Sequence, residues 1–261
     1  MTPVPIFVDT VSKLTAMLQI ITDLPTSPPS LYLDLEGVNL GRNGTLSLIT
    51  LYAHTLTLSA IYLIDVYTLK QPTFETSGPD GITLQSVLES PNIPKAIFDV
   101  RNDSDALYKH FNIKLQGVQD LQLMELATRV RPRDRISSLT NCIKYDLVVS
   151  HTDKKEWEKV KDVGKTWFQN DQGRCFEERP LRPEVEKYCV NDVVHMPKLW
   201  KVYAEKMDDF WWKMVRETSE ARIRESQGKY YNPDGGREKA LSPWSKRYVA
   251  QEKAKWIREN Q

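Results

Sequence analysis

Leu31-Tyr32-Leu33-Asp34-Leu35-Glu36-Gly37 alternates leucine with a tyrosine and two acids, the two-residue period of a β-strand. The leucines leave one side of such a strand, and Asp34 and Glu36 leave the other side together. Two ionised carboxylates within about 5–7 Å, the reach of two strand steps, repel each other and lose hydration when partly buried. A divalent cation between them reverses that cost, because oxygen ligands of this kind suit Mg²⁺ or Mn²⁺. A solvated edge strand carrying two exposed acids would be spelled the same way, so the rest of the chain has to decide.

The chain has 261 residues, 40% of them hydrophobic and 27% charged, enough for one large globular domain or two small ones. Lys and Arg number 36 against 35 Asp and Glu. Overall charge therefore does not advertise a nucleic-acid partner, and any such site must come from local charge. Cys142, Cys175 and Cys189 are odd in number and lack C-x-x-C spacing, which argues against a disulfide framework or a zinc site. A reducing intracellular compartment, cytoplasmic or nuclear, is expected. Residues 1–9 show no basic n-region or long apolar run, so no signal peptide is expected. No run approaches 18 apolar residues, so neither a membrane span nor a membrane partner is expected.

Around the opening strand, Pro5 to Val8 reads as a short strand. Asp9 or Thr10 then caps a helix with its apolar face on Val11, Leu14, Leu18 and Ile21. Asn43-Gly44 is a hairpin signal leading into a strand from Thr45 to Tyr52, and Ala60 to Val66 reads as a third strand of this group. Residues 68–81 hold Pro72, Gly78, Pro79 and Gly81 and read as a loop. A short helix over Ile82–Leu88, a strand over Lys95–Val100 and a helix capped by Asn102 and running through Phe111 follow. Val118–Leu121 is a candidate strand and Gln122–Val130 a helix. Early hairpins followed by alternating strands and helices predict an α/β fold, a mixed central sheet flanked by helices. From Ser137 onward the pattern is mainly helical. Its longest candidate runs from Pro183 to about Arg216, bent at Pro197. The last 30 or so residues, rich in Gly, Pro and charge, read as an appended, partly mobile tail. A division into a domain over 1–206 and a helical C-terminal extension with a charged tail over 207–261 is expected.

A second informative stretch is Glu184-Val-Glu-Lys-Tyr188-Cys-Val-Asn-Asp192, where Tyr188 and Asp192 share a helix face four residues apart. Phe98-Asp99-Val-Arg-Asn-Asp103-Ser-Asp105 supplies a further acid from mid-chain, and spacing does not choose among Asp99, Asp103 and Asp105.

D-L-E-G, N-D-x-D-A-L and Y-C-V-N-D, in that order, resemble the three exonuclease motifs of the DEDD superfamily in its tyrosine-containing subgroup. RNase D and the Werner-type exonuclease domains share them, and the "3′–5′ exonuclease domain-containing" proteins are nearest in spelling. The histidine subgroup would place His where this chain has Lys187. The resemblance spans roughly residues 5–205 and implies an RNase H-like exonuclease fold. It implies Asp34 and Glu36 as the first motif, Asp103 as the second, and Tyr188 and Asp192 as the third. It further implies two-metal phosphodiester hydrolysis with two divalent cations, Mg²⁺ or Mn²⁺. In that scheme Asp34 bridges both ions, Glu36 and Asp192 hold the water-activating one, Asp103 serves the other, and Tyr188 orients the water. The implied partner is single-stranded nucleic acid, RNA or DNA.

The family places contacts to the terminal nucleotide just after the first motif, at Val38, Asn39 and Leu40, while Arg101 and Asn102 flank the second. Residues 129–182 hold 13 Lys or Arg against 9 Asp or Glu. Their densest part, Arg129 to Arg135, is a candidate phosphate track or a solvated helix end, with Lys161 and Lys165 weaker candidates. His54, His110 and His151 show no ligand spacing. His195, Trp200, Phe210-Trp-Trp212 and Cys189 read first as packing. Tyr230, Tyr231 and Trp244 either bind a partner or pack back on the domain. Two rivals are a non-catalytic RNA-binding adaptor, against which the five intact motif residues argue, and another carboxylate-metal enzyme such as a phosphatase, which has no need of the Tyr188–Asp192 spacing.

Overall fold

Residues 3–260 are described by a computed structural model. Six strands form one mixed sheet in the order β1-β4-β3-β2-β5-β6. They are β1 (Ile6–Val8), β2 (Leu31–Glu36), β3 (Leu48–His54), β4 (Ser59–Asp65), β5 (Lys95–Ile97) and β6 (Val118–Asp120). The run β2-β3-β4 is antiparallel, as hairpins require, while β5 and β6 join it in parallel through crossover helices. Helices α1 (Val11–Ile21), α2 (Val66–Leu69), α3 (Pro72–Glu75), α4 (Leu84–Glu89), α5 (Arg101–Phe111) and α6 (Leu121–Thr128) belong to the sheet region. Thereafter the chain is helical: α7 (Leu139–Asp146), α8 (His151–Asp171), α9 (Pro183–Val193), α10 (Met196–Ala204), α11 (Asp209–Gln227) and α12 (Lys246–Glu259). Among the described residues no helix is long and apolar enough to cross a membrane.

The alternation in β2 divides the molecule into two layers. Leu31, Leu33 and Leu35 enter a core built with α1, α4 and α5. On the opposite face Tyr32 enters a core shared with α6, α7, α10 and α11, and Asp34 and Glu36 share that face with it. The strand lies inside the sheet, paired on both edges, but β5 accompanies it only from Leu31 to Leu33. Beyond Ile97 the β5 chain turns away, so the last three residues of β2 open onto a gap at the carboxyl end of two parallel strands. Such gaps are where sheets of this kind carry ligands.

Local chemistry explains where the elements depart from expectation. The strand expected from Thr45 begins at Leu48, because Gly37 and Gly44 let the loop fold on itself: a Cβ at Gly44 would meet the Val38 carbonyl oxygen at 1.9 Å. Residues 66–75 are not all loop, since the Asp65 carboxylate accepts from Thr68 N at 3.1 Å to start α2, and Pro72 stands in the first turn of α3. Strand β5 stops short of Val100 because Asp99 takes a left-handed conformation (φ 63°). Helix α5 is not capped by Asn102; Val100 is the N-cap, and Asn102 accepts hydrogen bonds from Tyr231 and Lys239 instead. The single helix expected over 183–216 is three. Pro197 does not bend a helix; it stands in the first turn of a new one, where its missing N–H costs nothing. Parts of the C-terminal stretch pack back on the domain. Trp244 is buried and donates to Thr218 Oγ1 at 2.9 Å, and Leu241 bridges to Arg135.

Candidate active site

Three elements converge on the gap at the end of β2. Asp34 and Glu36 come from the strand, Asp103 from the first turn of α5, and Tyr188 and Asp192 from successive turns of α9, which crosses β2 and β3. Carboxylate oxygens of Asp34, Glu36 and Asp192 all lie within 4.8 Å of one another. Glu36, Asp103, Tyr188 and Asp192 are buried, and Asp34 is partly open to solvent.

Like charges in so small and dry a volume resist ionisation. Burial pushes the Asp34 carboxyl up to about 7, with the charge of Asp192 adding to it and Lys161 and a hydrogen bond with Glu36 opposing. Burial raises Glu36 well above the usual carboxylate range, and Asp34 and Asp192 raise it further. Asp103 is driven up by burial and then by Asp34, and Asp192 by burial against the pull of Lys161. The Tyr188 phenol is held far above its ordinary value by burial and by Glu36, Asp192 and Asp34, so it acts here as a neutral hydrogen-bonding group. Crowded oxygens whose mutual repulsion Lys161 only partly relieves, with no thiolate or imidazole among them, are the donor set of a hard divalent cation. The residues present fit such an ion.

Of the three mid-chain acids, two are already partnered. Asp99 takes two hydrogen bonds from Arg101 at 2.6 Å, and Asp105 takes the Arg42 backbone N–H and Nε at 2.7 Å each. Asp103 has no ion-pair partner among the described residues and is the one whose charge is felt by Glu36 and which feels Asp34. The turn that aims it is held by Asp120, which accepts from Asp99 N at 3.1 Å and Val100 N at 3.3 Å. Asp120 is itself pinned by Arg222 of α11 at 2.7 Å.

The residues expected to grip a nucleotide are split. Val38, Asn39 and Leu40 form the loop after β2, with Asn39 exposed at φ 45° and held by Gln172, and Leu40 packed against the core. Arg101 and Asn102 are tied into a cluster with the C-terminal stretch: Arg101 to Asp99 and the Lys239 carbonyl, Asn102 to Tyr231 and Lys239. In the basic stretch, Arg129 pairs with Glu125, and Arg133 donates to the last carbonyls of α6, Leu126 and Ala127. Its exposed cations are Arg131 and Arg135. His195 begins α10 and does not join the acids, and Cys189 is fully buried. Trp200 stacks near Trp212 and donates to Gln119, as a packing residue does.

Lys161 is the residue that spacing placed least well. Its Nζ lies 2.6 and 2.7 Å from the two oxygens of Asp192 and 3.0 Å from the Tyr188 hydroxyl. The available signal was Trp157, Lys161 and Gly164 at steps of four and three on α8, one face of a helix. That face has meaning only once α8 is known to lie on α9.

Fold and site together define an α/β protein with a buried carboxylate cluster at the open end of its central strands. Residues 5–208 match the model of the 3′-5′ exonuclease family, and the chain belongs to that family. Over 176 residues it is 26% identical to the piRNA biogenesis protein EXD1 of Bombyx mori, covering 66% of this chain and 49% of that protein. The chain thus spans about half the length of that curated relative. Among solved structures, Trypanosoma brucei RNase D superposes with a TM-score of 0.74 at 22% identity, covering 95% of this chain and 80% of that one. Its complex with RNA U12 superposes at 0.73, with 21% identity and 95% and 78% coverage. These likenesses establish the RNase D exonuclease fold.

Proposed function

We propose that the chain is a metal-dependent 3′–5′ exonuclease that shortens single-stranded RNA or DNA from the 3′ end, releasing nucleoside 5′-monophosphates. The observation that carries the reading is the three-carboxylate cluster within 4.8 Å, raised on the family's fold beside Asp103 and Tyr188. Asp34, Glu36, Asp103 and Asp192 are the residues that would hold the divalent cations. Divalent cations, when bound, supply a water nucleophile at neutral pH and offset the charge that develops on the leaving oxygen. Tyr188 contributes position: its hydroxyl, kept protonated, orients the attacking water by hydrogen bonding and takes no proton from it. The dry floor formed by Leu48, Phe176 and Cys189 beneath Tyr188 excludes bulk water from that side.

Single-stranded substrate is supported by the RNA U12 bound by the trypanosomal RNase D. In this chain the loop Val38-Asn39-Leu40 is the proposed seat of the terminal nucleotide. Beside the second motif, Arg101 and Asn102 act together with Tyr231 and Lys239, which already contact them. The test is incubation of 5′-labelled single-stranded RNA and DNA with Mn²⁺, Mg²⁺ or EDTA. A ladder descending from the 3′ end, absent with EDTA and in Asp34→Asn, is expected. Absence of a ladder on both substrates with both metals would favour an RNA-binding adaptor instead.

A further inference from the structure

We infer that Lys161 is a built-in cation that holds the acid cluster together before metal arrives and competes with the metal for it. The inference rests on the metal-dependent reading above. An ammonium has three donors, and in Lys161 the cluster uses all of them. Two go to the separate oxygens of Asp192, and the third goes to the Tyr188 hydroxyl. The charge also acts on Glu36 and Asp34, and the side chain is largely buried, at 16% exposure. A cation is what three crowded carboxylates require. Among the described residues, Lys161 is the one that the chain itself brings.

Its placement is enforced from both sides along α8. One turn before it, Trp157 Nε1 donates to the Asn191 carbonyl at 2.9 Å, and Asn191 Nδ2 returns a bond to the Trp157 carbonyl at 3.3 Å. One turn after it, Gly164 lies flush on the Tyr188 ring, where a Cβ would meet Cε2 at 2.1 Å. The backbone of α8 is therefore tied to α9 at both neighbouring turns, and only the four-carbon stem of Lys161 is free to move. A divalent ion held by Asp34, Glu36 and Asp192 would share their 4.8 Å circle with the ammonium, and like charges so close in a dry site repel strongly. Occupation by metal then expels Lys161 from Asp192. The same movement frees the Tyr188 hydroxyl from the ammonium, so water positioning becomes available only when metal is in place.

The experiment is calorimetric titration of the full chain with Mn²⁺ and with Mg²⁺, alongside thermal melting in EDTA, for wild type, Lys161→Gln and Lys161→Arg. Lys161→Gln is expected to melt lower than wild type without metal, yet to bind either ion more tightly by on the order of tenfold or more. Lys161→Arg, which keeps the charge and guards against simple misfolding of the first variant, should keep the weaker affinity of wild type. Equal affinities in wild type and Lys161→Gln would overturn the role of Lys161 and leave the metal-dependent reading standing. Failure of all three proteins to bind either ion would overturn both.

Discussion

Replacing Gly164 by alanine tests how α8 is seated on the site. Gly164 lies in the interior of a helix, where alanine is ordinarily the better residue by about 1 kcal/mol. Here the new methyl would meet Tyr188 Cε2 at 2.1 Å and Cδ2 at 2.3 Å. The ring has little room to give way, with Trp167 and Phe176 packed around it at centroid distances of 5.7 and 6.1 Å. Overpacking of this kind costs about 1–3 kcal/mol. Set against the gain in helix propensity, the clash leaves a net destabilisation of about 1 kcal/mol. In a chain of this size that lowers Tm by about 2–4 °C. Melting followed by circular dichroism in EDTA reads the sign directly, and the sign is what decides. If Gly164→Ala melts above wild type, helix propensity is acting unopposed and α8 does not lie flush on Tyr188. The placement of Lys161 between its two tethers would fall with it.

Two further substitutions probe the scaffold. Lys95 is fully buried at the start of β5 and donates to the carbonyls of Val87, Leu88 and Ser90 at 2.8, 3.1 and 2.8 Å, closing the end of α4. Lys95→Met should strand those carbonyls and lower stability by about 2–4 kcal/mol, read as a lower urea midpoint; an unchanged midpoint would show that water or a neighbour satisfies them equally well. Burial alone would raise the Asp65 carboxyl, but hydrogen bonds from Arg179 and Thr68 bring it below its ordinary value of 3.8. A depressed folded-state value stabilises the protein above the unfolded value and loses that contribution as pH falls through the folded one. The stability advantage of wild type over Asp65→Asn should therefore be full above about pH 4 and close below it. A gap that stays constant down to pH 2 would count against the ion pair.

Much of the fold was legible because its signals are local. The two-residue period of Leu31 to Glu36 and the apolar face of α1 each depend on neighbours in the chain, and both elements are where those signals place them, although Val11 stands exposed and the strand after the Asn43-Gly44 turn begins only at Leu48. Misreadings arose where a local signal was answered by a distant partner. Asn102 has the chemistry of a cap, but Tyr231 and Lys239, more than a hundred residues away, claim its oxygen. The arginines at 129 and 133, a candidate phosphate track or a solvated helix end, are instead answered close by: Glu125 lies one helical turn before Arg129, and Arg133 reaches back to the last carbonyls of α6.

By itself, then, the sequence determined that Asp34 and Glu36 leave one side of a strand, and that Tyr188 and Asp192 share one face of a helix. Those relations follow from the periods of the two backbones and survive any tertiary arrangement. What only the tertiary structure decided is which acid meets them and what holds them apart from water and from one another. Asp99, Asp103 and Asp105 are equivalent on paper; Arg101 and Arg42 neutralise the outer two, leaving Asp103 facing Asp34. Lys161, unremarkable in a charged helix, comes to stand among the carboxylates because Trp157 and Gly164 press α8 onto α9. Charge acts through space at a few ångströms, and the backbone periods that a sequence displays do not measure that distance.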